Sequence, residues 1–246
     1  GEFSNEQRIQ LNTSVIQIEN EYYSTIRPKR ICPSGERPIN ILNSQGIEYL
    51  ELRCVDLDPF NPIGIDRSQI DFLDAFLLFC FTKESLPLDR KEASLLKENH
   101  KKIVNEGRNP NLKIYAQRGE ASVSELANEL LEEMNQISEE SGKFVFEEKN
   151  NRWSESLKTQ KEKIEDLNLT PSGKVIERLT SDNVSHEELG MEIAEKNLAF
   201  FENYNNSREE EFKKEASLSK EQQKKMESQK SPPFEEYLAE FLNKVS

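Results

Sequence analysis

The sequence predicts an α+β protein, with antiparallel strands in its first third, helices backing them, and a helical carboxy-terminal region. Three observations predict it. Apolar residues recur with a period close to two in residues 9–23 (IQLNTSVIQIENEYY) and again in residues 45–61 (QGIEYLELRCVDLDPFN), the period of a strand with two distinct faces. From Asp66 onward the apolar spacing lengthens to that of helices, and capping signals punctuate it. Residues 207–231 are almost purely charged, with acids and bases at helical spacing and no heptad of apolar positions, which predicts a solvated helix and not a coiled coil.

Each element follows from its residues. Residues 1–8 are a polar lead-in. In the first strand Ile16 and Ile18 share a face with Asn20 and Tyr22, while Val15, Gln17, Glu19, Glu21 and Tyr23 share the other, which is rich in carboxylates. Residues 24–40 contain Pro28, Pro33, Gly35 and Pro38, which predict a loop without regular structure. The second strand places Ile47, Tyr49, Glu51, Arg53 and Val55 on one face and the core-forming Leu50, Leu52 and Cys54 on the other. A helix over residues 68–84, opened by Asp66 or Ser68, is apolar around most of its circumference, so it is expected to be buried and to back the Leu50 and Leu52 face.

Asp89 with Glu92 forms a capping pair for a helix over residues 90–105, and Gly107 stops it. Residues 109–117 read as a turn and a short strand. Ser122 with Glu125 opens a helix that ends at Gly142, and residues 143–167 form one or two amphipathic helices around the sole tryptophan, Trp153. Pro171 and Gly173 interrupt before a helical turn or two at residues 174–180; Ser185 with Glu188 then caps a helix to about Asn203. After Pro232 and Pro233, Phe234, Tyr237, Leu238, Phe241 and Leu242 fall on one face of a last helix, which must dock on something. The expected division is a strand-rich portion at residues 1–120 and a helical region at 121–246, continuous with each other.

The bulk composition narrows the function. A net charge of −13, from 33 Lys and Arg against 46 Asp and Glu, argues against a nucleic-acid or anionic-membrane surface. The apolar run at residues 75–81 is too short to span a bilayer. Three widely spaced cysteines, Cys32, Cys54 and Cys80, form no zinc motif and fit reduced thiols in the cytoplasm. The chain begins Gly-Glu-Phe without a methionine and enters a strand-like pattern almost at once, which suggests a fragment of a longer protein or a processed chain.

The chemistry gathers in the first sixty residues. No nucleophile elbow, P-loop or Gly-rich dinucleotide fingerprint is present. His100 and His186 have no ligand-spaced partner and read as structural. What the sequence does offer is a set of acids (Glu19, Glu21, Glu51), a basic island in an acidic chain (Arg27, Lys29, Arg30, Arg37), and Arg53 two residues from Glu51, roughly 6–7 Å along a strand. Carboxylates on strands can hold Mg²⁺ together with substrate phosphates, and Arg and Lys can stabilise a phosphoryl group in transfer. Ordinary surface ion pairs on a solvated strand are the competing explanation.

Residues 16–30 (IQIENEYYSTIRPKR) and 46–66 (GIEYLELRCVDLDPFNPIGID) resemble the carboxy-terminal half of the bacterial glutamate–cysteine ligases of the gammaproteobacterial type, and NEGRNPNL at 105–112 and PPFEEYLAEFL at 232–242 are similar in order and spacing. The resemblance implies a partial antiparallel sheet of the glutamine-synthetase-like ligase fold. It implies ATP-dependent joining of the glutamate γ-carboxylate to the cysteine amine through γ-glutamyl phosphate, the first step of glutathione biosynthesis, with Mg²⁺ as the metal and Mn²⁺ as an alternative. It makes Glu51 a metal ligand, with Glu19 and Glu21 as weaker candidates, and has Arg53 contact the transferred phosphoryl group. Tyr23 holds cysteine, and Arg27, Lys29 and Arg30 line the substrates. Thr25 and Gln45 depart from a pattern that often has Pro and Gly there. The partners so implied are glutamate, cysteine, ATP and the amino-terminal half of the same enzyme, without which this chain is expected to be inactive. The rivals are another carboxylate–amine ligase of the superfamily and a non-catalytic helical interaction module. The module would be favoured by Glu51 and Arg53 facing solvent far from Tyr23.

Overall fold

A computed structural model describes residues 2–4, 7–145, 151–202 and 208–244. The chain divides into two compact units, Gly1–Asp56 with Asn205–Ser246, and Leu57–Tyr204. The boundary expected at residue 120 falls inside the second unit. There, β5 (Lys113–Ala116) and β6 (Gly119–Ser122) pair as an antiparallel hairpin, and β6 runs directly into α4 (Val123–Val145).

In the first unit, β1 (Glu2–Ser4) pairs antiparallel with β2 (Gln7–Gln10), and β3 (Ile26–Lys29) pairs antiparallel with β4 (Tyr49–Leu52). The α+β class holds, but the strands among the described residues make three separate two-stranded ribbons and not one sheet. The strand expected over residues 9–23 stops at Gln10 and gives way to bends and a 3₁₀ turn at Glu19–Glu21. Polar side chains take the backbone groups that a neighbouring strand would otherwise pair. Asn12 N donates to Gln17 Oε1 (2.9 Å), Gln17 Nε2 donates to Asn12 O (3.0 Å), and Ser14 N donates to Asn12 Oδ1 (2.8 Å).

The segment expected to be irregular instead contains β3 and α1 (Pro38–Gln45). Both prolines sit where proline costs little. A two-stranded ribbon leaves one side of each strand unpaired, so Pro28 need not supply an N–H, and Pro38 occupies the first turn of α1. Gly46 closes α1 at φ 78°, a conformation that suits glycine, and turns the chain into β4. The face of β4 expected to be core is only partly covered: Leu50 is 52% exposed and Cys54 is exposed.

The carboxy-terminal part of this unit contains α8 (Glu209–Glu227), solvated as its charges predict, and α9 (Phe234–Asn243). The last helix docks as expected, with Leu238 buried. Arg8 holds Glu235 through two bonds (2.9 and 2.6 Å), and Lys244 Nζ donates to Gly35 O and to Glu36 Oε1, each at 3.0 Å.

The second unit is helical. Asp66 caps α2 (Arg67–Thr82) by accepting from Gln69 N, and Asp89 caps α3 (Arg90–Glu106) by accepting from Glu92 N. Gly107 closes α3, and Glu125 N donates to Ser122 Oγ at the start of α4. Next come α5 (Arg152–Glu165), α6 (Pro171–Ser181) and α7 (His186–Glu202). Pro171 starts α6 where an interruption was expected, again at the first helical position. At α7 the capping box is complete: Glu188 N donates to Ser185 Oγ and Ser185 N to Glu188 Oε2.

The core of this unit joins Ala75 of α2, Leu131 and Met134 of α4, and Trp153 and Leu157 of α5, with Phe72, Phe76 and Phe79 packed around them. Helix α2 is therefore buried along one stripe only, while Ile70 and Phe81 lie outside it, Phe81 at 89% exposure. Asn99 of α3 is buried and ties α3 to β5 by two 2.8 Å bonds to the backbone N and O of Tyr115.

Candidate functional site

The register of the β3–β4 ribbon builds the site. Arg27 lies opposite Glu51 and Lys29 opposite Tyr49, and Arg53 N donates to Thr25 O (2.8 Å) where the ladder continues past β4. Because side chains alternate along a strand, Arg27, Lys29, Tyr49, Glu51 and Arg53 share one face. This face carries three cations and one anion.

Glu51 is the electrostatic centre. Arg53 Nε donates to its Oε1 at 2.7 Å, and Lys29 Nζ meets its Oε2 at 3.0 Å. These two cations, Arg53 foremost, hold the Glu51 carboxyl down to about 2, so it is ionised throughout the physiological range. The same bond pushes the Arg53 guanidinium further above its already high value. Arg53 also lies over the ring of Tyr23, 5.2 Å from its centroid, a cation–π contact. Among the described residues its Nη atoms have no hydrogen-bond partner. Tyr23, which belongs to no strand, is thus brought to the cluster by stacking, and its ring stays largely exposed.

The other candidates are placed differently. Arg27 donates through Nη1 to Asn20 O (3.3 Å). Arg30 follows β3 and turns to α1, donating to Gln45 Oε1 (3.1 Å) and to the backbone O of Gln45 (3.0 Å) at that helix's carboxy-terminal end. Glu19 is gripped by Arg37 through two bonds of 2.8 and 2.6 Å, which lower its titration. Glu21 accepts from Gln17 N (2.8 Å). The acidic wall expected from Glu19 and Glu21 is therefore a turn whose carboxylates serve local structure. No group of three or more His, Cys, Asp or Glu able to hold a metal occurs among the described residues.

Sequence reasoning counted Arg37 in the basic island but gave it no partner. It is wedged between Glu19 and the ring of Phe241, 5.6 Å from the centroid, so it joins the 3₁₀ turn to α9. Nothing in residues 24–40 signals a partner about two hundred positions away.

Residues 1–103 match the family model for glutamate-cysteine ligase. A glutamate–cysteine ligase from Pseudomonas entomophila is 44% identical over 172 residues, 70% of this chain and 32% of the relative. One from Alcanivorax borkumensis is 36% identical over 239 residues, 95% of this chain and 44% of the relative. Among solved structures, glutamate–cysteine ligase from Francisella tularensis in complex with AMP superposes with a TM-score of 0.85 at 30% identity, covering 96% of this chain and 46% of that one. A bifunctional glutathione synthetase from Pasteurella multocida gives a TM-score of 0.52 at 25% identity over 74% of this chain and 22% of its own. The chain thus spans about a third to under a half of the curated relatives it matches. In sequence across residues 1–103 and in fold across 96% of its length, this chain matches the glutamate–cysteine ligases.

Proposed function

We propose that this chain supplies the carboxy-terminal half of a glutamate–cysteine ligase, and that its β3–β4 face is one wall of the active site. The reaction is ATP-dependent. The γ-carboxylate of glutamate attacks the terminal phosphorus of ATP, giving γ-glutamyl phosphate and ADP. The cysteine amine then attacks the acyl carbon, phosphate leaves, and the nitrogen loses a proton. The observation that carries the proposal is the geometry of Arg53. Its guanidinium is fixed by Glu51 on one side and Tyr23 on another, with its Nη atoms turned to no protein partner among those described. A pre-oriented planar fork is what a transferring phosphoryl group requires. The interaction-module reading called for Glu51 and Arg53 facing solvent far from Tyr23; the 5.2 Å between Arg53 and the Tyr23 ring counts against it.

In this proposal Arg53 contacts the phosphoryl group and Tyr23 holds the cysteine substrate. Arg27 and Lys29 extend the positive face toward the anionic substrates, and Arg30 acts at one remove by fixing the end of α1. The donor set for Mg²⁺ or Mn²⁺ is a single carboxylate, Glu51, whose two oxygens Lys29 and Arg53 already hold. That set does not by itself fit a resident metal, so no step is routed through one; Glu19 and Glu21 add nothing to it while bonded to Arg37 and Gln17. ATP use is supported by the AMP-bound neighbour. Free thiols at Cys32, Cys54 and Cys80 accord with a cytoplasmic setting, and among the described residues no helix is long and apolar enough to cross a membrane.

The test is phosphate release with ATP, glutamate and cysteine. The chain alone is expected to be silent, and addition of the amino-terminal half to restore turnover. Arg53→Lys then lowers kcat by about 10²–10³, the usual cost of one pre-organised charge-stabilising donor. Full turnover in Arg53→Lys would sink the site assignment.

A further inference from the structure

Tyr23 belongs to no strand and its ring is largely exposed, so burial does not keep it against Arg53. The backbone on either side does. Just after Tyr23, Arg53 N donates to Thr25 O (2.8 Å) and ties the chain to the β3–β4 ladder. Just before it lies the 3₁₀ turn Glu19–Glu21, closed by Tyr22 N donating to Glu19 O (3.2 Å). Arg37 is that turn's firmest tie to the rest of the unit, because its Nε and Nη2 take both carboxylate oxygens of Glu19 at 2.8 and 2.6 Å. Arg27 adds one longer bond, to Asn20 O at 3.3 Å. Exposed ion pairs hold little, but this one is two-pronged and its side chains are only 14% and 26% exposed.

Arg37 is itself held from two directions. Its carbonyl accepts from Asn40 N (3.1 Å) at the start of α1, and the far end of α1 passes through Gly46 into β4 and on to Arg53. Phe241 of α9 covers the guanidinium, and Lys244, at the end of that helix, bonds Gly35 O and Glu36 Oε1 beside it. Asn40 Nδ2 donates back to Lys244 O. A single side chain thus links the turn before Tyr23, the helix that leads to Arg53, and α9.

We propose that Arg37 positions Tyr23 for the cysteine substrate, and that α9 fixes this position from the far end of the chain. The inference rests on the reading of Tyr23 as the residue that holds cysteine. The Arg37 guanidinium faces Glu19 and Phe241, so it acts through Tyr23 and not on a substrate directly. Arg53 keeps its 2.7 Å bond to Glu51 without Arg37, so phosphoryl transfer is spared.

Two measurements test this. In the chain alone, Arg53 side-chain protons lie over the Tyr23 ring and should resonate upfield by NMR; Tyr23→Leu removes the ring and identifies the effect. Arg37→Gln is expected to move these signals most of the way to their Tyr23→Leu positions. In the ligase assembled with its amino-terminal half, Arg37→Gln is expected to raise KM for cysteine about tenfold, the scale of a lost charge-assisted hydrogen bond, with kcat and KM for ATP within about twofold of the parent. Added to Tyr23→Leu, it raises the cysteine KM no further, because the two act as one unit. Arg37→Lys keeps a charge beside Glu19 but loses the planar fork; it gives smaller changes of the same kind, and decides the matter should Arg37→Gln not fold. Arg53 signals at their parent positions, an equal loss for all substrates, or an undiminished effect of Arg37→Gln in the Tyr23→Leu background would each overturn the proposal. Displaced Arg53 signals, with a cysteine KM that Tyr23→Leu leaves unchanged, would overturn the reading of Tyr23 instead.

Discussion

Met134→Ala is the most direct trial of how the helical unit is held together. Met134 is 0% exposed and sits among Ala75, Leu131, Trp153 and Leu157. Truncation removes Cγ, Sδ and Cε from a packed interior, so the loss combines transfer free energy with the cavity left behind. Met→Ala substitutions in cores cost about 2–5 kcal/mol, and complete burial on all sides places this one at about 3–4 kcal/mol. For a protein of this size each kcal/mol moves the midpoint by about 2–4 °C, so a fall of roughly 6–16 °C is expected. Trp153 belongs to the same cluster and reports the transition by its fluorescence without a label. Urea titration at fixed temperature gives the same quantity independently, with the slope unchanged if only stability has moved. A shift under about 2 °C with an unchanged slope would refute the account of the core as one packed cluster shared by α2, α4 and α5.

Two further outcomes follow. Asn99→Ala strips Tyr115 N and O of their side-chain partner at a buried position, and is expected to cost about 2 kcal/mol by urea denaturation; a loss under about 0.5 kcal/mol would show that water replaces both bonds. Glu51 titrates at about 2 in the folded chain against about 4.3 unfolded, so its contribution to the fold is fully present above about pH 4.3 and is lost as pH falls through about 2. An NMR titration of the Glu51 carboxyl carbon is expected to show the low midpoint in the parent, returning to the ordinary carboxylate range in Lys29→Gln/Arg53→Gln. An ordinary midpoint in the parent would dissolve the cluster.

What was legible in the sequence was local. The caps at Asp66, Asp89, Ser122 and Ser185 were readable because each satisfies a backbone N–H three residues away, whatever the rest of the chain does. The pairing of Glu51 with Arg53 was readable for the same reason, since alternation along one strand puts both on one face. Period-two patterning misled at residues 9–23, because it counts apolar residues and is blind to Asn12 and Gln17 taking the backbone for themselves. Proline misled at Pro28 and Pro38, because its meaning depends on which side of a strand or which turn of a helix it occupies. With β3 unrecognised, the Lys29–Glu51 contact across the ribbon was out of reach. Arg37 against Phe241, and the grouping of both chain ends into one unit, depend on contacts that no window of sequence contains.

That grouping has a consequence for how the protein is made. The ion pair of Arg8 with Glu235 joins residues 227 positions apart, and that of Glu36 with Lys244 joins residues 208 apart. Residues 57–204 form a unit of their own in between. A ribosome therefore releases everything the helical unit needs before it releases α9. Within this chain the segment carrying Tyr23, Glu51 and Arg53 precedes the helical unit, yet its own unit closes only after α9 has emerged. Until then the segment waits without its contacts to α9 and Lys244. Prior folding of the helical unit shortens the loop that α9 must close and lowers its entropic cost. Chaperone demand during synthesis should accordingly concentrate on the segment that precedes the helical unit.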